Sequence, residues 1–72
     1  MTSTTYLVDG MTCSHCVASV TEEVSALAGV ESVAIDLKAG ASSAVTVVSS
    51  QPIDTDAIRA AVTEAGYTLA SA

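Results

Sequence analysis

The chain has no phenylalanine and no tryptophan, one proline, one histidine and only two cations, Lys38 and Arg59. Each shortage closes off a class of function. Without clustered lysines and arginines a surface cannot neutralise a row of phosphates, so nucleic acid is not an expected partner. With a formal net charge of −6, an anionic membrane surface is excluded on the same ground. No run approaches the ~20 apolar residues of a membrane span. Met1-Thr2-Ser3-Thr4-Thr5 offers neither a basic stretch nor an apolar one, so it does not read as a secretory signal, and a cytoplasmic chain is expected. That compartment keeps thiols reduced, so two cysteines point to metal or redox chemistry rather than to a structural disulfide. The eight acids suit a protein partner with a basic docking face, or do no more than keep a small protein soluble.

What the chain does have is small and apolar: 13 alanines and 10 valines. Its 72 residues allow one small domain, 1–72, with no linker and no low-complexity tract. A core of alanine and valine buries less area per residue than one built on aromatics. Modest stability is expected, raised by any ligand that binds only the folded form.

Hydrophobic periodicity divides the chain into six elements. Tyr6 to Asp9 reads as a strand with Tyr6 and Val8 on one face. A helix follows from Ser14 to Leu27, with Val17, Val20, Val24 and Leu27 at helical spacing and Gly29 as its stop. Val30 to Leu37 alternates as a second strand. Lys38 to Ser43 forms a hairpin loop of small and polar residues, and Ala44 to Ser49 a third strand. Pro52 forbids a continued ladder. Asp54 is a good N-cap for a second helix, with Asp56 placed to suit its dipole and Ile58, Ala61, Val62 and Ala65 on its apolar face. Gly66 ends that helix, and Tyr67 to Ala70 reads as a last short strand. The order βαββαβ predicts an α+β, ferredoxin-like fold: a four-stranded antiparallel sheet with both helices on one face.

Both cysteines and the only histidine fall in Gly10-Met11-Thr12-Cys13-Ser14-His15-Cys16, where a strand gives way to the first turn of a helix. Thiolate is the metal ligand, and a helix N-terminus favours the anion. With no Lys or Arg before Lys38, that stabilisation must come from the helix dipole and His15. Cys16 shares a helix face with Val20 and Val24 and should be inward. Cys13 precedes the helix and should be exposed. Zinc prefers four ligands and iron–sulfur clusters normally take four cysteines, which this chain does not supply alone. Cu(I) is soft, favours thiolate and is satisfied by two; Ag(I) and Hg(II) fit the same donors. Met11 reads as a core filler or, less simply, a ligand. His15 reads as a plain exposed residue, as a group tuning the thiolates, or as a third ligand in a dimer. Tyr67 reads as a core aromatic, or as a group brought beside the thiols where the second helix stops.

The motif resembles the Gly-Met-x-Cys-x-x-Cys signature of heavy-metal-associated domains, which comprise small copper chaperones and the N-terminal modules of copper-transporting P-type ATPases. The resemblance extends through Gly29-Val30, Val45-Thr46-Val47 and Gly66-Tyr67. It implies a βαββαβ fold, Cys13 and Cys16 as Cu(I) ligands, and Met11 buried beneath the metal loop. It also implies that Tyr67 is the loop residue near the site that bacterial members often carry where eukaryotic chaperones place a lysine. The hairpin Lys38–Ser43 looks longer than the family's usual one. Delivery to a copper-transporting ATPase or a copper-responsive repressor is expected, as is a metal-free monomer that dimerises with Cu(I). The alternatives are a module of a larger transporter, a mercury carrier, which normally has a secretory signal, and a thiol–disulfide oxidoreductase with Cys13 as nucleophile. The last lacks the usual flanking tryptophan and the proline between the cysteines, so no enzyme is expected.

Overall fold

Period-two and period-3.6 patterns both materialise in the computed structural model, which describes residues 1–71. The elements are β1 (Thr2–Asp9), α1 (Ser14–Ser25), β2 (Val30–Asp36), β3 (Ser43–Ser49), α2 (Thr55–Glu64) and β4 (Thr68–Ser71). The strands form one antiparallel sheet in the order β2-β3-β1-β4, the ferredoxin-like arrangement. Tyr6 of β1 stands opposite Val45 of β3, and Val8 of β1 opposite Leu69 of β4. These side chains turn to the helix-covered face, while Ser3, Thr5 and Leu7 turn away from it.

The helices contribute Cys16, Val20 and Val24 from α1 and Ile58, Ala61 and Val62 from α2 to the same cluster. Burial of a side chain contributes about 1.5–3 kcal/mol, with valine at the lower end, so this core rests on many small terms. Val17, Leu27, Val33 and Ile35 pack half-buried along its margin. Two serines lie in the interior with their hydroxyls bonded. The Lys38 N–H donates to Ser43 Oγ at 2.9 Å, and Ser49 Oγ donates to the Gln51 carbonyl at 2.6 Å.

Several boundaries move from their expected places. β1 starts at Thr2, not Tyr6, because β3 offers partners down to the Thr2–Ser49 pair and threonine suits a strand. α1 ends at Ser25, not Leu27; the chain tightens so that the Leu27 N–H bonds the Val24 carbonyl at 3.1 Å. Leu27 still joins the core from the turn. β2 stops one residue early at Asp36, and β3 begins one residue early at Ser43. Tyr67 lies outside β4, in the turn that precedes it. The β1–β4 register shifts between Leu7 and Val8, and such irregularities bend a strand where it must deliver a loop.

Candidate metal centre

β1 ends at Asp9, and Gly10 follows with φ +93°, a conformation that L side chains resist. That turn sends Met11 into the core, where it is fully buried, and carries Thr12 and Cys13 across the start of α1. Cys13 occupies the N-cap position in extended backbone. Its carbonyl accepts the N–H groups of Cys16 at 3.0 Å and Val17 at 3.3 Å, and its side chain makes no capping bond. The Cys13 thiol therefore stays at the surface. Cys16 is one turn further on and 6% exposed, on the face shared with Val20 and Val24. The inward and outward placement expected from helical phase holds.

The two sulfurs are 3.6 Å apart, and both are free thiols. An ion held about 2.3 Å from each of two sulfurs needs them no more than ~4.6 Å apart, so the pair fits one soft ion. The Thr12 N–H points at Cys16 Sγ from 3.4 Å, and Thr12 Oγ1 lies 3.9 Å from it. Among the described residues no group of three or more His, Cys, Asp and Glu side chains converges on a common point. His15 is exposed on the outer side of the first turn.

Tyr67 reaches the site through the end of α2. Ala65 is the C-cap, Gly66 takes φ +98°, and two backbone bonds close the turn: the Gly66 N–H to the Thr63 carbonyl at 2.9 Å and the Tyr67 N–H to the Val62 carbonyl at 3.1 Å. This is the Schellman pattern, which fixes the residue after the glycine. The Tyr67 ring then covers Gly10: a side-chain carbon built there would lie 3.5 Å from Tyr67 Cδ1. Glycine at position 10 thus meets two demands, a positive φ and an aromatic ring against its open side.

The Tyr67 hydroxyl is the largest influence on the Cys16 thiol. It favours the anion, as do the Thr12 N–H and the groups of Cys13; burial opposes them, and the pKa falls from 9.0 to about 6. Reciprocally, the hydroxyl's interaction with Cys16, together with burial and the charges of both cysteines, raises the Tyr67 pKa. Near neutral pH the inner sulfur is therefore largely thiolate and the phenol neutral. Sequence reasoning assigns this role to the helix dipole and His15. It missed Thr12, whose contribution is a backbone N–H that every residue but proline possesses and no spacing rule reveals. It also missed the tie from the hairpin, where Ser42 Oγ donates to Asp9 Oδ1 at the base of the metal loop.

Comparison with known proteins identifies the family and the fold. The heavy-metal-associated domain family matches residues 5–68. A COP-associated protein of Helicobacter felis is 40% identical over 62 residues, covering 86% of this chain and 89% of its own length. Among solved structures, a CopZ metallochaperone superposes with a TM-score of 0.81 at 25% identity, over 94% of this chain and 98% of that one. A Bacillus anthracis protein solved in solution gives a TM-score of 0.71 at 28% identity, over 94% of this chain and 93% of its own.

Proposed function

The chain belongs to the heavy-metal-associated domain family, and we propose that it is a Cu(I) carrier that holds one ion between Cys13 and Cys16 and passes it to another thiolate protein. The observation that carries this reading is the sulfur pair itself: 3.6 Å apart, one buried and one at the surface, with the buried one acidic enough to be thiolate near neutrality. A two-thiolate site selects soft ions as a class, and copper among them is supported by likeness to a protein described as a CopZ metallochaperone.

Unequal burial sets the order of events. An incoming thiolate adds to the ion beside Cys13, giving three sulfurs around it. Cys13 leaves first because it is exposed and only loosely held. Cys16, with the Thr12 N–H and the Tyr67 hydroxyl stabilising its charge, leaves last. The ion changes hands without redox chemistry and without passing free through water. Met11 supports the loop from beneath, Tyr67 sets the acidity of Cys16, and exposed His15 tunes the thiolates or lends a third ligand in the dimer. Residues 1–72 act as one domain, a carrier rather than a catalyst. The receiver is a copper-transporting P-type ATPase or a copper-responsive repressor in the cytoplasm. Among the described residues no helix is long and apolar enough to cross a membrane. An exposed Cys13 also lets two loaded chains share their ions in a Cu(I)-dependent homodimer.

Titration with Cu(I) against a strong competing chelator tests the reading. Tight one-to-one binding that is lost in Cys13→Ser and Cys16→Ser is expected. Weak binding that neither substitution changes would refute it.

A further inference from the structure

Beside the metal loop lies an open groove of about 280 Å³ between Asp9–Thr12 and the hairpin tip Gly40–Ser42. It is smaller than the ~300–1,000 Å³ of most small-molecule sites, and its lining mixes small apolar residues with polar ones. Its one charged group is the Asp9 carboxylate. Ser42 Oγ holds Oδ1 of that group, which leaves the remaining acceptor capacity of an ionised carboxylate open. Among the described residues, both side-chain cations face other carboxylates. Lys38 faces Asp36 at 3.4 Å, and Arg59 faces Asp56 at 2.9 Å on α2. The groove shares Met11 and Thr12 with the loop that carries Cys13, so an occupant would lie next to the exchanging sulfur.

We infer that this groove receives an arginine side chain of the protein that takes the metal. The inference rests on the carrier reading above and names one element of the partner's docking face. A guanidinium suits the slot because it is planar and donates in a fork to a carboxylate already fixed in direction. Glycine and alanine at the tip leave room for its stem. Seated there, the cation also faces the net negative charge of an ion held by two thiolates, so docking and exchange reinforce each other.

The test uses two synthetic acceptor peptides, each with a Cys-x-x-Cys pair, one flanked by arginines and one by glutamines. Cu(I) transfer from the loaded chain is expected to be about fivefold faster to the arginine peptide, the size of a partly exposed ion pair. Asp9→Asn should bring the ratio close to one. Ala41→Leu, which fills the groove without changing charge, should do the same. Glu31→Gln, the same charge change on β2, should leave the ratio intact. The metal-free chain gives a second readout: the arginine peptide should shift backbone amide resonances at Gly10–Thr12 and Gly40–Ser42, and Ala41→Leu should abolish those shifts. A preference that survives both Asp9→Asn and Ala41→Leu, or shifts confined to the helices, would overturn the inference. A chain that binds no Cu(I) but still shows the amide shifts would overturn the carrier reading and leave the groove's specificity standing.

Discussion

At the start of α2 the Asp54 carboxylate accepts the Asp56 N–H at 3.1 Å, and a second acid, Asp56, lies in the first turn. At the start of α1 Cys13 stands in the equivalent position, makes no capping bond, and is followed by no acid in the first turn. One helix spends its free N–H groups and its positive dipole end on stability. The other has a surface thiol at its N-cap and makes no such bond. What holds the uncapped start in place is packing, since Met11 is fully buried just ahead of it. The chain thus accepts a weaker helix end at the one start that carries its thiols.

Four measurements break or sharpen this contrast. The largest effect is expected from exchanging the roles of the two starts. Cys13→Asp gives α1 the kind of cap α2 has; it should lower Cu(I) affinity about a thousandfold, ~4 kcal/mol, by removing one of two soft ligands. The same substitution should raise metal-free stability by about 1 kcal/mol in urea unfolding, the usual worth of an N-cap. A destabilised Cys13→Asp chain would show that the bare start is not a concession to function. Next, Met11→Ala should cost about 3 kcal/mol of stability, in the range for large-to-small core changes; a loss under about 1 kcal/mol would mean the loop is not supported from below. Asp54→Ala should cost about 1 kcal/mol while leaving Cu(I) affinity unchanged, since that end carries only the fold.

The last change, Tyr67→Phe, acts through pH. A thiol whose pKa is lowered on folding, from 9.0 to about 6 for Cys16, adds stability that is complete above the upper value and is lost as pH falls through the lower one. Removing the hydroxyl should move the lower edge of that window upward. Thiolate absorbance followed across pH reads it directly: the midpoint for Cys16 should rise from about 6 toward 9.0. Proton competition with Cu(I) should then begin at higher pH. An unmoved midpoint would transfer the credit to the Thr12 N–H.

Most of this organisation is legible in the sequence. Element order follows from periodicity, and the unequal burial of Cys13 and Cys16 from helical phase alone. Other parts were hidden for physical reasons. Thr2 to Thr5 carry no hydrophobic alternation, so the first half of β1 is defined only by its pairing with β3. Leu27 keeps the apolar period of α1 while its backbone has already left the helix. The role of Thr12 lies in an amide, which has no sequence signature. Tyr67 was reachable by resemblance, but its rank as the main influence on Cys16 depends on a turn geometry that composition does not encode. The tie between Ser42 and Asp9 spans 33 positions, beyond any local pattern.

The Gly66–Tyr67 turn has an evolutionary corollary. Backbone bonds set the direction of that corner, and the ring at position 67 adds packing against Gly10 and the core. An exchange of Tyr67 for Phe can therefore retune the acidity of Cys16 while the ring's packing and both cysteines stay as they are.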